Sequence, residues 1–214
     1  VTAGDNTGTV NIVGTSTITG DVGANGTEVL LLALGSNAVL SLDGGVHSHS
    51  AITLAAGSEL KFIEADNVTA VTGAITATGT GGINVGTTVT TVSGVVTCGT
   101  DCVFKSTIGT TNGKLVASAA GIVFAADTAV TPVIAGAVTS GTAIVIATND
   151  DGTPGTAPTT ANIVDNYSRY DFTLAMNGSN LELTPTVVAP TGVSANAALV
   201  SAIADVAFAT DTAM

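Results

Sequence analysis

Three short stretches of this sequence carry side chains able to do chemistry. Cys98-Gly-Thr-Asp-Cys102 sets two thiols four residues apart with a flexible glycine between them, close enough to close a small ring without a distant partner. In an exported protein the pair would oxidise to a disulfide; reduced cysteines packed in a core are the second reading. The spacing is not the Cys-x-x-Cys of redox enzymes, and a metal would need more ligands than stand nearby. So short a ring constrains little chain, and its expected role is local, pinning one corner of the fold. His47-Ser-His49 could put both imidazoles on one strand face, at a separation that lets them share a metal. No carboxylate or cysteine accompanies them, so the expectation is two solvent-facing histidines in a loop after Asp43-Gly-Gly45. Asn149-Asp150-Asp151-Gly152 offers oxygens to a calcium ion, but it lacks the spaced Asp ladder of repeat-type sites and reads as a solvated turn. No cofactor and no resident metal is expected.

Catalysis finds little support. A β-structured polysaccharide-active enzyme would need a basic residue to take a proton, with acids or calcium beside it. The sole arginine, Arg169, lies between Tyr167 and Tyr170, where an ion pair or aromatic stacking is the simpler role. Sixteen acidic residues are scattered along the chain, but no pair recurs in a functional cluster. No nucleophile–base pattern and no phosphate-binding loop is present. Four basic residues against those sixteen acids give a net charge of -12, which repels nucleic acid and anionic lipid.

The elements that must position these residues follow from composition and repetition. The chain is 45% apolar yet only 3% aromatic, with no Trp, so its core must be thin and built from small side chains. With 9% of residues charged, its surface must be wetted by Thr, Ser, Asn and Gly. Glycine recurs at a nearly constant step, at Gly14, Gly35, Gly57, Gly79, Gly99, Gly121 and Gly141. After each comes a strand-like run, from Ser16–Thr19 through Ala38–Leu42, Glu59–Ile63, Ile83–Val85, Cys102–Lys105 and Ile122–Phe124 to Ala143–Thr148. Between them lie second runs: Val29–Leu32, Ala51–Leu54, Ala74–Ala77, Val95–Thr97 and Lys114–Val116. A unit of about 21 residues that cannot bury its own apolar face is the mark of a stacked repeat. We therefore expect an all-β fold, a parallel β-solenoid with about 21 residues per coil; an antiparallel sandwich is the alternative.

The coils are expected over residues 1–148, a loop and hairpin cap over 149–186, and a linker with a short helix over 187–214. All five prolines lie beyond residue 126, and Asn149 to Pro158 has the composition of an exposed loop. Asp171–Met176, the turn Asn177-Gly-Ser-Asn180 and Leu181–Thr184 read as a β-hairpin that would cover the open end of a stack. Ser194–Phe208 reads as a helix, with Leu199, Ile203 and Val206 on one face. Nothing at the other end resembles a cap, so more coils or another subunit are expected to stack on the first. The longest apolar run, Val29–Leu34, is far shorter than the ~20 residues of a membrane span, and residues 1–13 do not resemble a secretory signal. Asn-x-Ser/Thr sequons at Asn25, Asn67, Asn166 and Asn177 are expected by chance in a Thr-rich chain.

Gly8-Thr-Val-Asn-Ile-Val-Gly-Thr-Ser-Thr-Ile-Thr-Gly-Asp-Val-Gly23 and Ile52-Thr-Leu-Ala-Ala-Gly-Ser-Glu-Leu-Lys-Phe62 resemble the passenger repeats of rickettsial surface autotransporters, especially the outer membrane protein B type. The run Ile163–Leu183 resembles the last segment of such a passenger. The resemblance implies a right-handed parallel β-helix, exported and displayed extracellularly on a bacterial surface as adhesin, protective layer or both. Two features depart from it: no barrel follows Met214, and such passengers are usually poor in cysteine. It implies tethering through a barrel absent from this chain and a host-surface receptor as partner; the residues themselves lead us to expect no catalytic group, and self-association through the solenoid ends is the other expected partner. A subunit of a self-assembling extracellular filament or lattice is the alternative function, and a polysaccharide-active β-helix enzyme the third.

Overall fold

Strands form where Thr, Val and Ile are densest, and they stop at the Gly, Asn and Asp positions that can turn. The computed structural model describes residues 7–23, 28–63, 68–118, 121–150, 158, 162–165 and 169–188. Within them the chain is a β-solenoid of about five turns, its coils roughly 23 residues apart, and no α-helix occurs. One sheet stacks β2 (Thr15–Thr19), β4 (Val39–Asp43), β6 (Glu59–Phe62), β8 (Gly82–Asn84), β11 (Val103–Ile108) and β14 (Ala129–Ile134), all parallel. The other begins with β1 (Thr7–Ile12), β3 (Val29–Leu34), β5 (Val46–Leu54) and β7 (Val68–Ala77) and then divides. The first half of β7 pairs with β9 (Val89–Val92), followed by β12 (Lys114–Ala117) and β15 (Ile144–Asn149). Its second half pairs with β10 (Val96–Cys98), followed by β13 (Ile122–Phe124). β5 and β7, of nine and ten residues, thus cross from one face to the next, and the later coils have three sides.

One corner repeats five times. The N–H groups of Ala38, Ser58, Gly81, Cys102 and Thr128 donate to the carbonyls three residues earlier, at 3.0 to 3.2 Å, which is a β-turn. Its third residue is left-handed at Asn37, Gly57 and Asp101 (φ 60, 75 and 60°), residue types that tolerate that conformation. Gly35, Gly57, Gly79 and Gly99 all fall in this corner. Gly121 and Gly141 do not: they precede β13 and β15, and the last corner, Ala125–Thr128, has no glycine. The expected series of runs also breaks there. Ile122–Phe124 lies in the divided sheet, and Ala129–Ile134 takes its place beside β11. Coil length varies because the corners differ: the step from Val103 to its partner Ala129 is longer than that from Leu34 to its partner Leu54. The expected uniform repeat is therefore replaced by a looser one, and the third face was not anticipated.

Inward positions line up across coils into columns. Leu32, Ile52, Ile75, Val96 and Ile122 form one, and Leu40, Leu60, Ile83, Phe104 and Val130 another, all buried. Each fully buried aliphatic side chain contributes roughly 1.5–3 kcal/mol, so neighbouring coils hold one another. Phe104 and Phe124 meet across the interior with ring centroids 5.4 Å apart.

The two ends differ. The hairpin forms where expected, as β16 (Tyr170–Asn177) and β17 (Asn180–Val187), with β17 antiparallel to β15. Gly178 carries the positive φ of 58° at the first central turn position, which the type II′ hairpin turn gives to glycine. Phe172, Leu181 and Leu183 are buried beneath it. At the other end Val10, in the column of Leu32, is 39% exposed, and Ile18, in that of Leu42, is half-buried. The expected helix Ser194–Phe208, and Asn25, Asn67, Asn166 and Asp151, lie outside the described residues.

Candidate functional site

The chemistry-bearing residues sit at three levels of the stack. At the fourth of the five repeated corners, Cys98 ends β10 and Cys102 closes the turn, their Cα atoms 5.4 Å apart and their sulfurs bonded. Both are fully buried. Cys98 occupies the column of Leu54, Ala77 and Phe124, so the bridge packs as a small apolar group while holding the turn around Asp101.

The histidines depart from expectation. The turn after Asp43 is made by Gly44 and Gly45, and β5 then runs unbroken from Val46. A Cβ on Gly44 would lie 2.4 Å from the Gly20 carbonyl oxygen, so only glycine lets the chain pass so close there. His47 consequently lands in an inward column with Val22, Val71, Val92 and Ala117 and has no exposed surface. His49 is 1% exposed. They are therefore interior side chains rather than solvent-facing loop residues. The rings are near-parallel, 8° between planes and 6.4 Å between centroids. His47 Nε2–H donates to the Gly44 carbonyl at 2.9 Å, whereas neither ring nitrogen of His49 has a hydrogen-bond partner among the described residues. Burial first, and the adjacent His47 second, push His49 down to about 4; it is a neutral imidazole at pH 7. Among the described residues no cluster of three or more metal-binding side chains surrounds the pair.

A third group was not read from the sequence. Glu59, on the outward face of β6, accepts from Lys105 Nζ at 2.9 Å and from Asn84 Nδ2 at 3.1 Å, and pairs with Lys61 at 3.2 Å. Burial raises the carboxyl, but hydrogen bonds from Lys105, Asn84 and Lys61 and the Lys105 charge outweigh it and hold Glu59 below its ordinary value. Lys61, Asn84 and Lys105 form one column on successive coils, so a known coil length would have revealed them.

Asn149, considered as a calcium ligand with Asp150 and Asp151, has another task. It is 4% exposed, and its Oδ1 accepts the Ile122 N–H at 2.7 Å. A side chain here replaces the carbonyl that a further coil would supply on β13. Asp150 is exposed, its N–H donating to the Ala117 carbonyl. Arg169 stands at the foot of the hairpin, where its carbonyl accepts the Val188 N–H. The structure thus joins Cys98 to Cys102 and His47 to His49, and each of these pairs lies within a single strand or corner. A small recess beside the cap is lined by Ile122, Phe124, Ala147, Met176 and Leu181, with Thr148, Asn149 and Ser179 at its polar side. No helix of the described residues is long and apolar enough to cross a membrane. No family model, curated protein or solved structure matches this chain.

Proposed function

We propose that this chain is a non-catalytic section of a bacterial cell-surface protein, displayed extracellularly as part of a rigid rod or layer in the manner of an autotransporter passenger, and able to adhere through its polar faces. One observation carries the reading: the described residues stack into a β-solenoid whose outward columns are mostly small and polar. Phe172, Leu181 and Leu183 seal the core beneath an antiparallel hairpin, whereas Val10 stands in an inward column with 39% of its surface exposed. The outward columns suit an interfacial role. Thr17, Ser41, Lys61, Asn84, Lys105 and Thr131 follow one another down one face, and Thr53, Thr76 and Thr97 down another. Intact producing cells treated with an added protease, then probed with antibody to this chain, test the reading. Loss of the band without lysis is expected; complete protection until the cells are lysed would refute surface display.

A further inference from the structure

We infer that the section of wall around β5 is an acid-sensitive joint: protonation of the buried His49 opens the first coils while the capped end stays closed. Four features of the structure place the joint there. Both imidazoles lie in the interior, His47 within an otherwise aliphatic column. The two nitrogens of His49 have no hydrogen-bond partner among the described residues, so nothing there is ready to receive an added proton's charge. The sheet is already irregular at this point. Ser48 pairs with Thr72 and Ala51 with Ala74, so His49 and Ser50 stand opposite Gly73 alone in a β-bulge that interrupts the ladder. Lastly, no carboxylate acts on His49, whose only perturbers are burial and the neighbouring His47. β3 and β7, which flank β5, contain no titratable residue; across the interior β4 offers Asp43 and β6 offers Glu59 and Lys61, all at outward positions. Asp21 accepts the Val46 N–H at the preceding corner, and Glu28 precedes β3.

The direction follows from linkage. His49 has a folded value near 4 against 6.5 for an unperturbed histidine, so the open form binds protons more readily. The closed form has its full stability above pH 6.5 and loses it as the pH falls from 6.5 towards 4. Between pH 7 and pH 5 the opening equilibrium should rise about 20-fold from this one group. Ordinary carboxylates stay ionised across that range.

Hydrogen exchange read by mass spectrometry at pH 7 and pH 5, corrected for intrinsic exchange, tests the inference on the whole chain. Peptides covering β3 and β5 should lose protection about 20-fold at pH 5, and those covering β12 and β15 less than 2-fold. In His49→Leu the loss at β3 and β5 should vanish. A wild-type loss that is absent, uniform along the chain or retained in His49→Leu would overturn the proposal. Should that variant fail to fold, the His49 ring titration followed by NMR in the wild type decides. A midpoint below pH 5 supports the joint, and one at pH 5 or above refutes it.

Discussion

Reducing the Cys98–Cys102 bridge should cost a measurable but small part of the fold's stability. The bridge spans a sequence separation of four, and for a closed ring of that size the chain-entropy relation gives about 2 kcal/mol, against about 3 for a fifteen-residue loop. Native packing should change little, since both thiols would remain fully buried, that of Cys98 between Ala77 and Phe124. For a chain of this size about 2 kcal/mol corresponds to a fall in Tm of roughly 4–8 °C. The assay is thermal unfolding followed by circular dichroism, comparing oxidised protein with protein unfolded, reduced and refolded under reductant. Mass spectrometry confirms the oxidised state as the loss of two hydrogens. Equal midpoints would show that the bridge does not hold the corner. Failure of the reduced chain to refold would show that it does far more than that, and either result would refute the reasoning.

Three further perturbations probe other parts of the stack. Asn149→Ala leaves the Ile122 N–H without its acceptor and should cost about 1–3 kcal/mol in urea unfolding, most of it recovered in Asn149→Asp; an unaffected midpoint would contradict the capping role. Gly73→Ala places a Cβ 2.0 Å from the His49 carbonyl oxygen at a φ of +96°, so the bulge must rearrange. The expectation is loss of soluble protein or a stability deficit above about 3 kcal/mol, and a wild-type melting curve would sink it. Phe172→Ala removes a buried ring from beneath the hairpin and should cost about 3–5 kcal/mol, with hydrogen exchange rising first in β16 and β17; exchange rising first at β3 would reverse the assignment of capped and open ends.

Much of the fold was legible because its signals are local. Gly35, Gly57 and Gly79 mark a real corner, and Asn177-Gly-Ser-Asn180 turns a real hairpin, since both depend on backbone conformations that few residues adopt. The third face was not legible. Val46–Ser48 merges with Ala51–Leu54 into one strand with no turn between them, and Val89–Val92 is parted from β10 only by the short bend Ser93-Gly94-Val95, so neither reads as a separate face. The histidines misled for a related reason. His-Ser-His after Gly-Gly has the composition of a loop, yet a glycine corner ends at Gly45 and the pleat alone then decides that His47 points inward. The Glu59 cluster escaped because Asn84 and Lys105 are 25 and 46 residues away, distances that mean contact only once the coil length is known. The cysteine ring needed no such knowledge, as its partners share one turn.

The stack itself is tested most directly by a distance between residues far apart in sequence but on one column. Thr17 and Thr131 head and foot the series Thr17, Ser41, Lys61, Asn84, Lys105 and Thr131. Five coil steps at the ~4.8 Å strand spacing put their Cα atoms about 24 Å apart. Spin labels on Thr17→Cys/Thr131→Cys, with the native cysteines oxidised, should give a narrow pulsed-EPR distribution near that value. Thr17→Cys/Lys61→Cys, two steps apart, should fall at about 10 Å. A broad distribution, or a longer distance for the two-step pair than for the five-step pair, would contradict the solenoid.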